Sequence, residues 1–263
     1  MKIFHGWRMV GSGAALQVLQ GGLMQQSFGA YVAVLSDERD WSKTALSGGA
    51  ALMSIETAII GPLVGWLVDR FGEGPIIRAG VVLFALGLMA LGAVDSLTGF
   101  YGAIAVCAVG MTLCGYFPVN VAVIHWFERY RARALSAVGL GVGLGGVLVP
   151  VVAGFMQSFG WRMTAVASGV LVLVVGLPLT RAFKGRPQDL GEHVDGIAPT
   201  GEHAPAAAIG PPWHPEPNPD RRGVDAPALS AQEQARRGFT LHEAMRTRAF
   251  WLLALGHGAR SEE

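Results

Sequence analysis

Six stretches of this chain are free, or nearly free, of charge. Residues 9–36 make 28 positions, and residues 44–68 make 25, broken only by Glu56. Residues 79–94 make 16, which 75–77 lengthen past Arg78. Residues 96–127 make 32, residues 134–161 make 28 and residues 163–180 make 18. A helix that crosses a bilayer needs about 20 mostly apolar residues. In hydrocarbon every backbone N–H and C=O must find its partner within the segment, so six helices with short connections is the economical reading. The first stretch is too long for the apolar core of a secretory leader, and no small-residue cleavage pattern follows it. It is expected to be a retained span.

Composition sharpens this picture. Of 263 residues, 51% are hydrophobic and only 15% charged, against about a quarter charged in soluble domains. A net charge of +1 gives no case for nucleic acid; the partner implied is the lipid bilayer. Lys and Arg distribute unevenly over the connections. Lys2, Arg8, Arg70, Arg78, Arg129, Arg131, Arg133, Arg181, Lys184 and Arg186 fall on one side, and only Arg39, Lys43 and Arg162 on the other. The positive-inside rule then puts both termini in the cytoplasm. The two cysteines, Cys107 and Cys114, lie seven residues apart on one span. They cannot reach each other for a disulfide, so they are expected to be small buried residues.

The spans differ in what they carry. The first holds Gln17, Gln20, Gln25 and Gln26, with Gly21 and Gly22 between them. Amides are costly against lipid, so some are expected to face a polar interior. The glycines allow a bend or a close neighbour. The fourth span places Thr112, Tyr116 and Asn120 at helical spacing on one face, with Pro118 expected to bend it. The third begins near Pro75, a favourable first-turn position. The fifth is rich in glycine, a composition that packs closely or flexes. A short internal echo joins the second and fifth spans. Pro62 precedes Phe71-Gly72 by the same nine residues that separate Pro150 from Phe159-Gly160. The second span runs inward and the fifth outward, which is what an inverted three-plus-three repeat leaves behind.

Residues 1–183 are therefore read as a six-helix membrane domain. Residues 184–238 hold nine of the 14 prolines and no apolar periodicity, the composition of a disordered linker. His193, His203 and His214 in it match no compact metal spacing, so neither a metal nor a cofactor is expected. In 239–263, Thr240-Leu241-His242-Glu243 has the form of a capping box, and the apolar run 249–259 is half the length of a span.

The second span ends in Gly61-Pro62-Leu63-Val64-Gly65-Trp66-Leu67-Val68-Asp69-Arg70-Phe71-Gly72. Gly65-x-x-x-Asp69-Arg70-x-Gly72 resembles the loop between the second and third helices of the major facilitator superfamily of secondary transporters. Glu73 and Gly74 stand where that family usually continues with basic residues. Ser27-Phe28-Gly29, Trp41-Ser42-Lys43, His5-Gly6-Trp7, Trp126-Phe127, Gly160-Trp161-Arg162 and the 186–191 stretch resemble the monocarboxylate and oxalate–formate branch. The resemblance implies an all-α membrane fold of twelve helices in two six-helix halves. This chain is expected to hold the amino-terminal half, the central linker and the start of a seventh helix.

The resemblance also implies roles. Substrate would sit near mid-membrane between the halves, with Gln25, Gln26, Tyr116 and Asn120 lining the cavity. Amides and a phenol can donate hydrogen bonds to a carboxylate; equally, these groups can satisfy one another between helices. Proton-coupled relatives place a Lys close to Gln26, and its absence argues against that coupling. Glu56, the sole acid in a span, is a proton-coupling candidate; the other reading is a buried acid bonded to Ser54, Thr57 or a neighbouring helix. His125 reads as an interfacial imidazole. By resemblance, Asp69 pairs with Arg129, Arg131 or Arg133 and with a helix terminus of the other half, a contact that holds one conformation until it breaks.

The function expected is secondary transport of small organic anions, mono- or dicarboxylates, by alternating access in the plasma (inner) membrane. The competing reading is a six-helix fragment or partner subunit that needs a second half and transports nothing alone. No nucleophile with its base and no phosphate loop appears, so an enzyme is not expected.

Overall fold

Residues 131–180 run as fifty consecutive helical positions. Laid straight they would measure roughly 75 Å, more than twice the hydrocarbon thickness of a bilayer, so the run must turn back. It does so at one residue. Gly160 has φ 80 and ψ 159 inside an otherwise helical stretch, a conformation that residues with a Cβ rarely adopt. The fifth span ends there and the sixth begins. Gly72, between the second and third spans, takes the same shape, with φ 80 and ψ 165. The sequence echo of Phe71-Gly72 and Phe159-Gly160 is thus an echo of backbone geometry at two span junctions.

The computed structural model describes residues 4–185. The linker from 186 onward, the capping box at 240–243 and the expected start of a seventh span lie outside the described residues, as do His193, His203 and His214. The first span joins α1 (His5–Gln20) through a wide π turn (Gly21–Gln25) to α2 (Phe28–Arg39). The second is α3 (Lys43–Phe71) and the third α4 (Glu73–Gly92). The fourth is α5 (Leu97–Cys114) followed by α6 (Tyr116–Trp126). The fifth is α7 (Arg131–Gly145), a tight turn (Gly146–Leu148) and the part of α8 (Val149–Leu171) before Gly160. The sixth is the rest of α8, a π turn (Val172–Gly176) and α9 (Leu177–Thr180). Four helical runs are long and apolar enough to cross a membrane: Lys43–Phe71, Glu73–Gly92, Leu97–Trp126 and Arg131–Thr180, the last holding two spans. The first span, with its four glutamines, completes six.

Two sequence expectations shift. The fourth span breaks at Gly115, φ −82 and ψ −161, not at Pro118. Pro118 sits in the first turn of α6, where it is tolerated. Its ring would strike the carbonyl of Cys114, four residues back, in an unbroken helix. The break relieves that clash upstream of the proline. It also separates Thr112 from Tyr116 and Asn120, so the three do not share one continuous helical face.

Helix α4 is the packing centre, lying chiefly against α5 and α8. Lipid tails are as apolar as the helix faces, so close backbone approach has to supply the attraction. A Cβ on Gly80 would come within 2.5 Å of the Cys114 nitrogen, and one on Gly87 within 2.6 Å of the Cys107 nitrogen. Cys107 and Cys114 are free thiols, both buried in this contact. Helix α1 packs on α7 in the same manner, with Gly141 against the Ala14 backbone, and the following π turn continues the contact with Gly22 against Gly145 and Leu148.

Polar groups close the two ends. At one, Ser42 and Ser96 cap α3 and α5 by accepting from the amides of Ala45 (3.2 Å) and Gly99 (3.1 Å). There Arg162 Nη2 meets Asp95 Oδ1 at 2.5 Å, and Arg39 Nη2 meets the same oxygen at 3.0 Å. Arg162 also donates to the carbonyls of Gly92 (3.2 Å) and Val94 (3.1 Å). Beside it Trp161 Nε1 donates to Glu38 at 2.6 Å. At the other end Phe127 meets Phe4 and Trp7 edge to face, and Phe4 lies tilted against Trp126. His5 Nε2 donates to the Ala182 carbonyl at 2.9 Å, and Trp126 Nε1 to that of Gly185 at 3.0 Å.

Candidate functional site

Spans one, four and five each lose regular α geometry near mid-length: at Gly21–Gln25, at Gly115 and at Gly146–Leu148. Polar side chains gather at these breaks. The wide turn is closed by Gln26 N donating to Gly21 O at 2.8 Å and by Ser27 Oγ donating to Gly22 O at 2.5 Å. Gln26 then reaches across to the fifth span, where Nε2 donates to the Val142 carbonyl at 2.6 Å. Its neighbour Gln25 is exposed. One wide turn sends adjacent amides to different tasks.

Gln20, also on the first span, bonds the fourth. Its Nε2 lies 2.7 Å from Cys114 Sγ, at the edge of the Gly115 break. Gly13 faces Val119 on the same pair of helices. Gln17 lies between these two contacts, buried, with Nε2 lacking a hydrogen-bond partner. Asn120 on α6 is partly buried, and its Oδ1 likewise lacks one. Tyr116, one turn earlier, is half exposed and directs its hydroxyl toward Gly139. Buried polar atoms normally find partners. Facing helices here hold an amide donor and an amide acceptor that have none. Gln25, eight residues after Gln17, is an exposed amide and Tyr116 an exposed phenol; groups of these types can hydrogen-bond a small polar ligand.

Gln25 and Gln26 thus lie on span one and Tyr116 and Asn120 on span four, and only Gln26 reaches the fifth, at the Val142 carbonyl. The sequence reading did not single out Gln17 or Gln20 as site residues. Their spacing of three put both on one helix face, and Gly115 three residues before Pro118 marked where the fourth span would open.

Glu56 lies apart. It is buried at the middle of α3, and its Oε2 accepts from Thr112 Oγ1 at 3.3 Å. Thr112 is 3.3 Å from Thr57 Oγ1, which donates to the Met53 carbonyl at 2.9 Å. Ser54 donates to Ala50. The acid is held by a neighbouring helix, and its second oxygen, Oε1, is buried without a partner.

At the aromatic end, Gly65 is partly buried, and Asp69 and Arg70 are exposed. The Arg70 guanidinium stands 5.7 Å over Trp66 and 5.8 Å over Phe71. Gly72 supplies the turn. Arg129 and Arg133 lie against the Tyr130 ring, each at 5.8 Å, and Arg131 Nε donates to Phe127 O at 3.2 Å. Among the described residues no ion pair joins Asp69 to these arginines. The pair formed there is His125 Nδ1 to Glu73 Oε1 at 2.6 Å. Glu73 occupies a position where the resembling family is usually basic, and a histidine of the fourth span answers it.

Comparison with known proteins agrees with this architecture. The sequence profile of the Major Facilitator Superfamily matches residues 14–258. A fujikurins efflux protein of Gibberella fujikuroi is 26% identical over 153 residues, 57% of this chain and 32% of its own length. Human monocarboxylate transporter 6 is 30% identical over 165 residues, 60% of this chain and 32% of its own. Monocarboxylate transporter 13 of Rattus norvegicus is 24% identical over 216 residues, 79% of this chain and 45% of its own. The chain spans less than half the length of these curated relatives.

Proposed function

The chain belongs to the Major Facilitator Superfamily, and on that premise we propose that it forms the amino-terminal half of a carrier for small organic anions. The carrier works by alternating access, with both termini in the cytoplasm and the bilayer being the plasma membrane. The observation that carries this reading is the set of amides on spans one and four, near the breaks at Gly21–Gln25 and Gly115. Gln17 and Asn120 hold unpartnered buried atoms there, and Gln25 and Tyr116 are open. Amide and phenol donors suit a carboxylate without adding a charge that must cross the membrane with it. Resemblance to monocarboxylate transporters supports the substrate class.

A second six-helix half would cover the exposed apolar faces of the second and fifth spans, where Ile59, Leu63, Leu140, Leu144, Val147 and Val151 are uncovered. Asp69, exposed and unpaired with the nearby arginines, would then meet a partner as the two halves close. Glu56, hydrogen-bonded to Thr112, is a proton carrier in this scheme only if its free oxygen is reached by water.

Uptake of labelled lactate, oxalate and formate into membrane vesicles from cells with and without the gene tests the proposal. Saturable uptake that depends on the gene and falls in Asn120→Leu and Gln17→Leu is expected. Equal uptake with and without the gene overturns it. The 263-residue chain alone in liposomes is expected to show no saturable uptake.

A further inference from the structure

A cavity of about 670 Å³ opens at the basic end of the bundle, between the start of α1, the start of α4 and the segment after α9. Its lining includes His5, Arg8, Ser12, Arg78, Arg181 and Lys184. Four permanent cations on three separate segments converge on one space, and among the described residues no carboxylate lines it. Among the described residues, Arg8, Arg78, Arg181 and Lys184 form no ion pair. Glu73, the acid closest in sequence to Arg78 within the described residues, is engaged by His125. His5, also in the lining, donates to the carbonyl of Ala182 on the cavity wall. Uncompensated like charges at one place repel one another, and a bound anion removes that cost.

The depth of the cavity narrows the kind of anion. Arg78 stands five residues inside α4, which begins at Glu73, so its backbone lies about 7.5 Å along the helix axis from that end. Arg8 is three residues inside α1, about 4.5 Å from its start. The headgroup zone on each side of a bilayer is roughly 5–7 Å thick. The arginines therefore ring the level at which phospholipid phosphates sit. Guanidinium forks match phosphate oxygens in pairs. Leu179 and Phe183, also in the lining, offer the apolar footing that a glycerol backbone needs.

We propose that this cavity is a binding site for the phosphodiester headgroup of an anionic phospholipid. The headgroup joins the start of the first span, the start of the third and the end of the sixth by bonding to cations on all three. The site involves none of the amides assigned to substrate and stands whether or not the chain is part of an anion carrier.

The test uses the full 263-residue chain in mild detergent, offered phosphatidylglycerol or phosphatidylcholine with identical acyl chains, with retained lipid counted by native mass spectrometry. Wild type is expected to retain phosphatidylglycerol preferentially. Arg78→Gln and Arg181→Gln are each expected to weaken that retention about fivefold. Arg78→Lys keeps most of the preference, and Lys43→Gln, at the opposite end, leaves it unchanged. Arg181 follows α9, outside the described helices, so its variant tests the site without altering a helical residue. Equal retention of the two lipids overturns the proposal, as does retention unchanged in both glutamine variants. Displacement of phosphatidylglycerol by millimolar inorganic phosphate would assign the cavity to a soluble anion and overturn the lipid assignment.

Discussion

Arg162 grips Asp95 at 2.5 Å and, with the same guanidinium, the carbonyls of Gly92 and Val94. One side chain from the start of the sixth span thereby closes the end of the third and the turn into the fourth. Arg39, at the end of the first span, adds a second bond to Asp95.

This grip has a pH signature. The Asp95 carboxyl is held below the ordinary carboxylate range, first by its hydrogen bond to Arg162 and then by that to Arg39. Its folded-state pKa is lowered, so its contribution to stability is complete above the unfolded value of about 3.9 and is lost as pH falls through the lowered native value. Asp95→Asn is expected to reduce the thermal midpoint in detergent by about 2–4 °C at neutral pH. The gap from wild type should hold down to about pH 5 and close below about pH 4. Melting curves across that range check this. A gap that widens on acidification would contradict it. Arg162→Ala should cost more than Asp95→Asn, because two carbonyls lose their donor as well.

Gly72 and Gly160 share a backbone shape that residues with a Cβ rarely adopt. Gly72→Ala and Gly160→Ala should each destabilise the fold by about 1–3 kcal/mol. No neighbour stands within 4 Å of a Cβ at either site, so the loss would report backbone strain and not a clash. Gly154→Ala, in ordinary helix and equally open space, should be neutral or mildly stabilising. Chemical denaturation of the three variants distinguishes them, and equal stability would remove the strain argument.

The bond from Gln26 to Val142 ties the first span to the fifth. Interhelical hydrogen bonds in membranes contribute about 0.6 kcal/mol on average and up to about 1.7. Gln26→Leu should lose an amount within that range, whereas Gln25→Leu, which breaks no bond between spans, should not. Thermal shift measurements on the two adjacent substitutions make the comparison directly.

Glu73 answers His125 at 2.6 Å across the third and fourth spans. Glu73→Lys would place a cation against the imidazole at a position where the family is usually basic. Its midpoint should fall below that of Glu73→Gln, and His125→Gln combined with Glu73→Lys should recover part of the difference. A double-mutant cycle reads the coupling. Additive effects would show that the pair is not coupled.

The spans were legible because lipid imposes a coarse rule: charge is excluded over about 20 residues and returns between. The two reversals were legible because only glycine fits them, and Phe71-Gly72 and Phe159-Gly160 repeat the same local text. The break in the fourth span was harder to place. Pro118 announces a distortion, yet the clash falls on the carbonyl four residues earlier, and Gly115 yields in that interval. The polar constellation was legible in kind and not in direction. Gln25 and Gln26 are identical letters, but the wide turn before them decides which one meets Val142. Contacts such as Arg162 with Asp95 and His125 with Glu73 join residues more than fifty positions apart. They depend on packing that no local pattern encodes.

Cys107 and Cys114 lie in the close contact of α4 with α5, both buried. They are the two thiols of this 263-residue chain, so the chain already serves as a silent background for maleimide scanning. A single thiol introduced at Ala93 or at Ala132, both exposed and at opposite ends of the bundle, would report on its own which compartment each end of the bundle occupies.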